Sequence, residues 1–159
     1  EIAANDVNPL VALNVSGTLL TPARKRKVRN ANVEYRRADA YALDKVSGEF
    51  DAGLANFWFS HVPKARIDEF LHSFHEKLGK TAVVFMADNV YVPGIGGQLI
   101  AKREIEDTFK LRKASDGLEH EVLKNYYDAY SLERLLSPKT SGLKVHAAKY
   151  FWWVQYTVP

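Results

Sequence analysis

The order of patterns along this 159-residue chain predicts an α/β fold with a largely parallel sheet that closes on an antiparallel pair. Three observations carry that prediction. Strand and helix patterns alternate through most of the chain. The continuous apolar run Thr81-Ala-Val-Val-Phe-Met-Ala87 reads as a strand buried on both faces, as sheets with crossover helices require. An Asp116-Gly117 turn between apolar segments, and two strand patterns after it, mark where the chain turns antiparallel.

Ile2-Ala3-Ala4-Asn5-Asp6 is a short apolar run ending in an acid, and Asn8-Pro9 reads as an N-cap and first helical residue. The helix that would follow is interrupted by Val15-Ser16-Gly17-Thr18 and by Pro22, with a basic, helix-compatible stretch resuming over 23–29. Val33 to Ala38 alternates as a strand and ends at Asp39, and Phe50 to Asn56 forms the next. Ile67, Phe70, Leu71, Phe74 and Leu78 form one apolar stripe of a helix, with Gly79 placed to stop it.

After the apolar run, Pro93-Gly94-Ile95-Gly96-Gly97 forces a loop. Phe109 and Leu111 face Val122 and Leu123 in a β-hairpin spanning about 104–125. Leu132, Leu135 and Leu136 mark a short helix, and 144–148 and 150–158 supply the last two strands.

With 47% hydrophobic and 26% charged residues, the composition suits a single domain over residues 1–159. The absence of cysteine excludes disulfide frameworks, zinc-finger sites and thiol catalysis. No apolar run approaches the roughly 18 to 20 residues of a membrane span, and no signal-peptide pattern is read, so the expected location is cytoplasmic. The net charge of +3 is concentrated in Arg24, Lys25, Arg26, Lys27, Arg29, Arg36 and Arg37. Such a block can bind nucleic acid, but only Tyr35 interleaves with it. A solvated face is therefore the preferred reading, and nucleic acid is disfavoured as a partner.

Three strand ends are polar where open α/β sheets bind ligands: Asp6, Asp39 and Asn56. A carboxylate suits two ribose hydroxyls or an exocyclic amine, because it offers two acceptor oxygens. An Asp at a strand end also serves as a turn former. In "FDAGLANFWFSHVP", residues 50–63, the strand ends on Asn56 and then presents Phe57, Trp58, Phe59 and His61. That pattern suits a strand whose end floors a crevice.

In this setting, Asn5-Asp6-Val7-Asn8-Pro9, the stretch Asn32 to Tyr41, and Phe50-Asp51-Ala52-Gly53-Leu54-Ala55-Asn56 resemble class I S-adenosylmethionine-dependent methyltransferases. The resemblance continues through Val83 to Asn89, the hairpin and the aromatic last strand Tyr150-Phe151-Trp152-Trp153, and covers most of the chain. It implies a Rossmann-like, mostly parallel sheet with an antiparallel last strand and the β-hairpin as an insertion. It also implies S-adenosylmethionine as cofactor and a small-molecule methyl acceptor. Asp6 and Val7 would hold the ribose side, Asp39 with Ala40 the adenine, and Asn56 with Phe57 the methionine end. Trp58 and Tyr91 are candidate substrate contacts, no metal is required, and no membrane partner is implied.

The family's glycine-rich loop is not found ahead of Asp6, so the first strand is expected to be incomplete or absent. A homo-oligomer or a second chain would then complete the sheet. The alternative function is a degenerate methyltransferase-like domain serving as a binding or interaction module.

Gly94-Ile95-Gly96-Gly97 lacks the lysine of a phosphate-binding loop and reads as a substrate-side loop. The triplet Asn14-Val15-Ser16 matches a glycosylation signal that carries no weight without a secretory signal. His72, His75 and His120 are expected on exposed faces and His146 in a strand. His61, beside the crevice strand, is the candidate catalytic residue. A neutral imidazole there could take a proton from a substrate hydroxyl or amine, and the alternative role is a cap for the helix starting near Lys64.

Overall fold

The structure, a computed structural model, describes residues 10–26, 28, 32–95, 97–113 and 117–159. It divides into two units, Glu1–Gly48 and Glu49–Pro159.

The first unit is built on β1 (Leu10–Asn14) and β2 (Val33–Arg37), which pair in parallel from Leu10↔Val33 to Asn14↔Arg37 and are joined through α1 (Gly17–Arg24). The helix expected after Pro9 is thus replaced by a strand, because the backbone of Leu10–Asn14 is satisfied by β2 rather than by its own turns. Helix formation begins later, at a better cap. Asn14 Oδ1 accepts from Ser16 N at 2.8 Å and Ser16 Oγ accepts from Leu19 N at 3.4 Å. The helix ends at Arg24, with Lys25 as its C-cap.

Part of the basic cluster is tied down within this unit. Arg24 donates to the Tyr35 carbonyl, Arg37 Nε donates to the Val15 carbonyl at 2.9 Å, and Arg36 grips both oxygens of Glu34. Leu20, Leu43 and Val46 are the buried apolar side chains.

The second unit holds a four-stranded sheet in the order β3-β4-β9-β8, formed by β3 (Ala52–Asn56), β4 (Val83–Asn89), β8 (Ser141–Ala147) and β9 (Phe151–Thr157). β3 and β4 pair in parallel, and β9 pairs antiparallel with both β4 and β8. Strands β3, β4 and β8 therefore run one way, and the last strand runs against them between β4 and β8. A separate three-stranded antiparallel sheet contains β5 (Leu99–Lys102), β6 (Ile105–Lys113) and β7 (Glu119–Leu123). The hairpin pairs Phe109 with Leu123 and Leu111 with Glu121, with Gly117 at φ 84° in its turn region. Strand β5 had no signal of its own in the sequence, where Pro93 to Gly97 dominated the reading.

Helix α2 (Ile67–Leu78) lays Phe70, Leu71 and Leu78 against the sheet. Asp68 and Glu69 in its first turn and His75 and Lys77 in its last complement the helix dipole. Gly79, at φ 79°, ends it. Close approach explains Gly53: a Cβ there would lie 2.5 Å from both Phe74 Cζ and Leu78 Cδ1. Helix α3 (Ala129–Leu136) starts from a reciprocal cap between Asp128 and Ser131 and fully buries Leu132 and Leu136.

β4 is not buried on both faces. Val84, Met86 and Asp88 are fully buried on the face they share with their partners Tyr156, Val154 and Trp152, where α2 packs, whereas Val83 is 43% exposed. The continuous apolar run therefore hides a one-sided burial that only the register reveals.

Candidate functional site

Parallel pairing places the carboxyl ends of β3 and β4 side by side, with Asn56 opposite Ala87. Asn56 is exposed there, and the chain then turns sharply. Phe57 adopts φ 51°, a left-handed conformation costly for a bulky side chain, while its N–H donates to the Ala87 carbonyl at 2.8 Å. The aromatic triplet divides after this turn. Phe57 is half exposed, edge-on to Phe151, whereas Trp58 packs on Phe70 with ring centroids 4.7 Å apart. Phe59 is fully buried between Phe70, Tyr127 and Trp152. Trp58 thus faces the helix layer.

Beside the strand ends lies a buried polar cluster that periodicity does not reveal. Lys124 Nζ donates to Asp88 Oδ1 at 2.8 Å and to Ser60 Oγ at 2.6 Å, and Asp88 Oδ2 accepts from Ser60 N at 3.0 Å. Asp88 is fully buried and Lys124 only 4% exposed, so each charge depends on the other for solvation. Burial alone would raise the Asp88 carboxyl, but the hydrogen bonds from Lys124 and Ser60 hold it below its ordinary value. Asn125 continues the cluster. Its N–H donates to the Ser60 carbonyl, and its side-chain amide donates to the Val62 carbonyl and to Asp107 Oδ1. Asp107 Oδ1 also accepts from Lys64 N at 2.8 Å. Through these bonds the hairpin base holds the segment from Ser60 to Lys64.

His61 sits in that segment, half-buried. Its Nδ1 lies 2.7 Å from the Leu123 carbonyl oxygen. A carbonyl only accepts, so Nδ1 carries the proton and Nε2 keeps its lone pair. Burial pushes the imidazole pKa below its ordinary value; the Leu123 bond opposes this, the cations of Lys124 and Arg112 add to it, and Asp88 opposes it. Tyr91, at the same end of β4, packs edge-on to Tyr126 at 5.3 Å, and the Lys124 ammonium lies 5.6 Å from the Tyr126 ring centroid.

In the first unit, Asp39 follows the carboxyl end of β2. Its Oδ1 accepts from Tyr41 N at 3.0 Å, an Asx turn that supports the turn-forming reading, while Oδ2 makes no hydrogen bond among the described residues. Asp39 lines a cavity of about 430 Å³ together with Val15, Arg37, Ala38, Ala42 and Lys45. Ala40 is half-buried in the same turn. Asp6 and Val7 lie outside the described residues.

Of the remaining histidines, His75 departs from expectation. It is half-buried, with Nε2 2.9 Å from the Tyr156 hydroxyl, because its position on α2 faces the sheet. His72 and His120 are exposed, and His146 stacks on Trp153 from β8. No group of three His, Cys, Asp or Glu side chains among the described residues is arranged to hold a metal ion. No helix among the described residues is long and apolar enough to cross a membrane.

Neither a protein-family model nor a curated protein matches the chain. Solved structures do. The DhpI–SAH complex matches at 21% identity with a TM-score of 0.69, over 95% of this chain and 66% of DhpI. The PH0226 protein from Pyrococcus horikoshii OT3 matches at 16% identity and TM-score 0.71, over 95% of this chain and 74% of that one. The glycopeptide N-methyltransferase MtfA, complexed with S-adenosyl-L-homocysteine, matches at 13% identity and TM-score 0.61, over 94% of this chain and 73% of that one. The fold is that of class I S-adenosylmethionine-dependent methyltransferases. The chain spans about two thirds of the length of DhpI.

Proposed function

We propose that this chain is an S-adenosylmethionine-dependent methyltransferase domain acting on a small-molecule acceptor, with residues 1–159 as one domain and the hairpin of about 104–125 as an insertion. The observation that carries this reading is the match of 93% to 95% of the chain to DhpI, whose structures are complexes with SAH and with SAM and HEP.

Each unit, taken by itself, offers residues suited to part of such a cofactor. Among the described residues, Asp39 keeps one carboxylate oxygen without a partner, in a cavity of about 430 Å³, within the range of small-molecule sites. Its two acceptor oxygens suit the exocyclic amine of an adenine, with Ala40 beside it. Asn56 offers an exposed amide at a strand end, the place where open α/β sheets take ligands. The strained Phe57 turns its ring outward beside it, and both suit the methionine end. When bound, S-adenosylmethionine supplies a methyl group on a positively charged sulfur. The protein's task is then to hold the acceptor in line and exclude water, which needs no metal and no covalent residue. His61, with Nε2 unprotonated, is assigned the acceptor's proton, and Tyr91 a wall of the acceptor site.

One observation favours the second reading, a non-catalytic interaction module. Among the described strands, β3 is one of the two edges of its sheet, and its outer backbone groups suit pairing with another strand or a second chain. Amide NMR of the chain titrated with S-adenosylhomocysteine separates the two readings. Methyl transfer predicts saturable shifts at Asp39–Ala42 and Asn56–Trp58. Shifts absent at both segments, with chain self-association broadening β3, would favour the module.

A further inference from the structure

Ser60 and His61 are fastened from several sides at once. Ser60 N–H is held by Asp88 on β4, its hydroxyl by Lys124 beyond β7, and its carbonyl by the Asn125 N–H. The next residue, His61, donates Nδ1–H to the Leu123 carbonyl, one position before Lys124. Three consecutive residues of one segment thus clasp two consecutive residues of another, and a buried ion pair closes the clasp. An ion pair so fully buried contributes little net stability compared with apolar side chains of the same volume. Placing a charged pair here therefore makes sense for orientation rather than for stability.

We infer that Asp88, Lys124 and Ser60 are positioning residues for His61. They fix the imidazole with Nδ1–H on the Leu123 carbonyl and its Nε2 lone pair toward the acceptor side, so that the base is set by the docking of the hairpin. This inference rests on the methyltransferase reading for the use of the base, but not for its geometry. During transfer, the acceptor oxygen or nitrogen bonds to the methyl carbon as the carbon–sulfur bond breaks onto sulfur. The acceptor's proton passes to His61 Nε2 and from there to water. Every group facing the ring takes part in setting its protonation: Asp88 from β4, Arg112 from β6, and Lys124 beyond β7. Burial is the first cause that lowers the imidazole pKa, and the cations of Lys124 and Arg112 add to it against the Leu123 carbonyl and Asp88, which favours the neutral ring.

The test is nitrogen-15 NMR of the histidine side chains in the ligand-free chain, a readout independent of cofactor binding and activity. In the wild type, neutral His61 should show the Nδ1–H tautomer in excess by about tenfold, the scale of one ordinary hydrogen bond. The neutral-pair variant Asp88→Asn/Lys124→Gln stays close to the shape of the pair but removes both charges and one of the two acceptor oxygens of Asp88. There the excess should fall toward unity while His146 keeps its wild-type pattern. Ser60→Ala, which removes only a hydroxyl, should lower the excess in the same direction and covers the case of a double variant that fails to fold. A wild-type His61 in the Nε2–H form overturns the inference without any variant. An unchanged excess in a folded Asp88→Asn/Lys124→Gln or Ser60→Ala chain also overturns it. Either result leaves the cofactor-binding reading standing, and an absent cofactor shift leaves this geometry standing.

Discussion

Lys124 Nζ lies 2.8 Å from Asp88 Oδ1 across a separation of 36 residues, with side chains 5% and 0% exposed. The pair joins the end of β4 to the segment beyond the hairpin, the two parts of the chain that meet beside His61.

Breaking one side of that pair should cost more than the pair contributes. Asp88→Ala leaves an ammonium buried without a counter-charge, and unfolding in denaturant should show a loss of about 3 to 5 kcal/mol. A loss under about 1 kcal/mol, the range of a surface pair, would mean that the site is open to water.

Stability should fall on the acid side of neutrality. Burial lowers His61 and His75 below their ordinary value of 6.5, with the His72 charge adding to the effect at His75. A depressed folded pKa gives stability that is full above the unfolded value and is lost as pH falls through the folded one. Differential scanning calorimetry should therefore show Tm declining as pH drops below 6.5, and His75→Gln should reduce the slope. Asp88, held below 3.8, adds its own loss only at lower pH. A flat Tm across the histidine range would contradict this account.

Gly53 should tolerate no methyl group. Gly53→Ala would push a Cβ to 2.5 Å from Phe74 Cζ and Leu78 Cδ1, so those side chains or α2 itself must move, and overpacking of this kind costs about 1 to 3 kcal/mol. Chemical denaturation measures it, and a neutral substitution would mean that α2 rides loosely on β3.

These contacts show where sequence reasoning reached and where it stopped. The stripe Ile67, Phe70, Leu71, Phe74, Leu78 located α2 and Gly79 its end, because helix periodicity is a local property. The hairpin and the antiparallel last strand were legible for the same reason. Leu10–Asn14 was not, since its strand state depends on β2 some twenty residues away in the chain. Asn56 and His61 are singled out in the sequence as candidates because they stand at the end of an apolar strand. Ser60, Asp88, Lys124 and Asn125 are not. The apolar run is read as ending at Ala87, with Asp88 just beyond it, and Lys124-Asn125 only as the end of the hairpin of about 104–125. The bonds that unite them span 28 to 65 residues, and no local spacing encodes that. A polar residue closing an apolar run, as Asp88 does, was the one available signal.

The cofactor reading makes Asp39 and Asn56 separable from stability. Asp39→Ala and Asn56→Ala each remove an exposed polar group at a strand end. They should weaken S-adenosylhomocysteine binding by about tenfold or more, the scale of one hydrogen bond to a charged group or more, with Tm changed little. Unchanged affinity with a lower Tm would assign them to turn formation instead.

Isothermal titration of the wild-type chain with S-adenosylhomocysteine tests the central claim most directly. The account predicts one saturable site with Kd well below about 1 mM, equivalent to more than about 4 kcal/mol of binding free energy. No binding heat at millimolar ligand, from a chain shown to be folded, would contradict it.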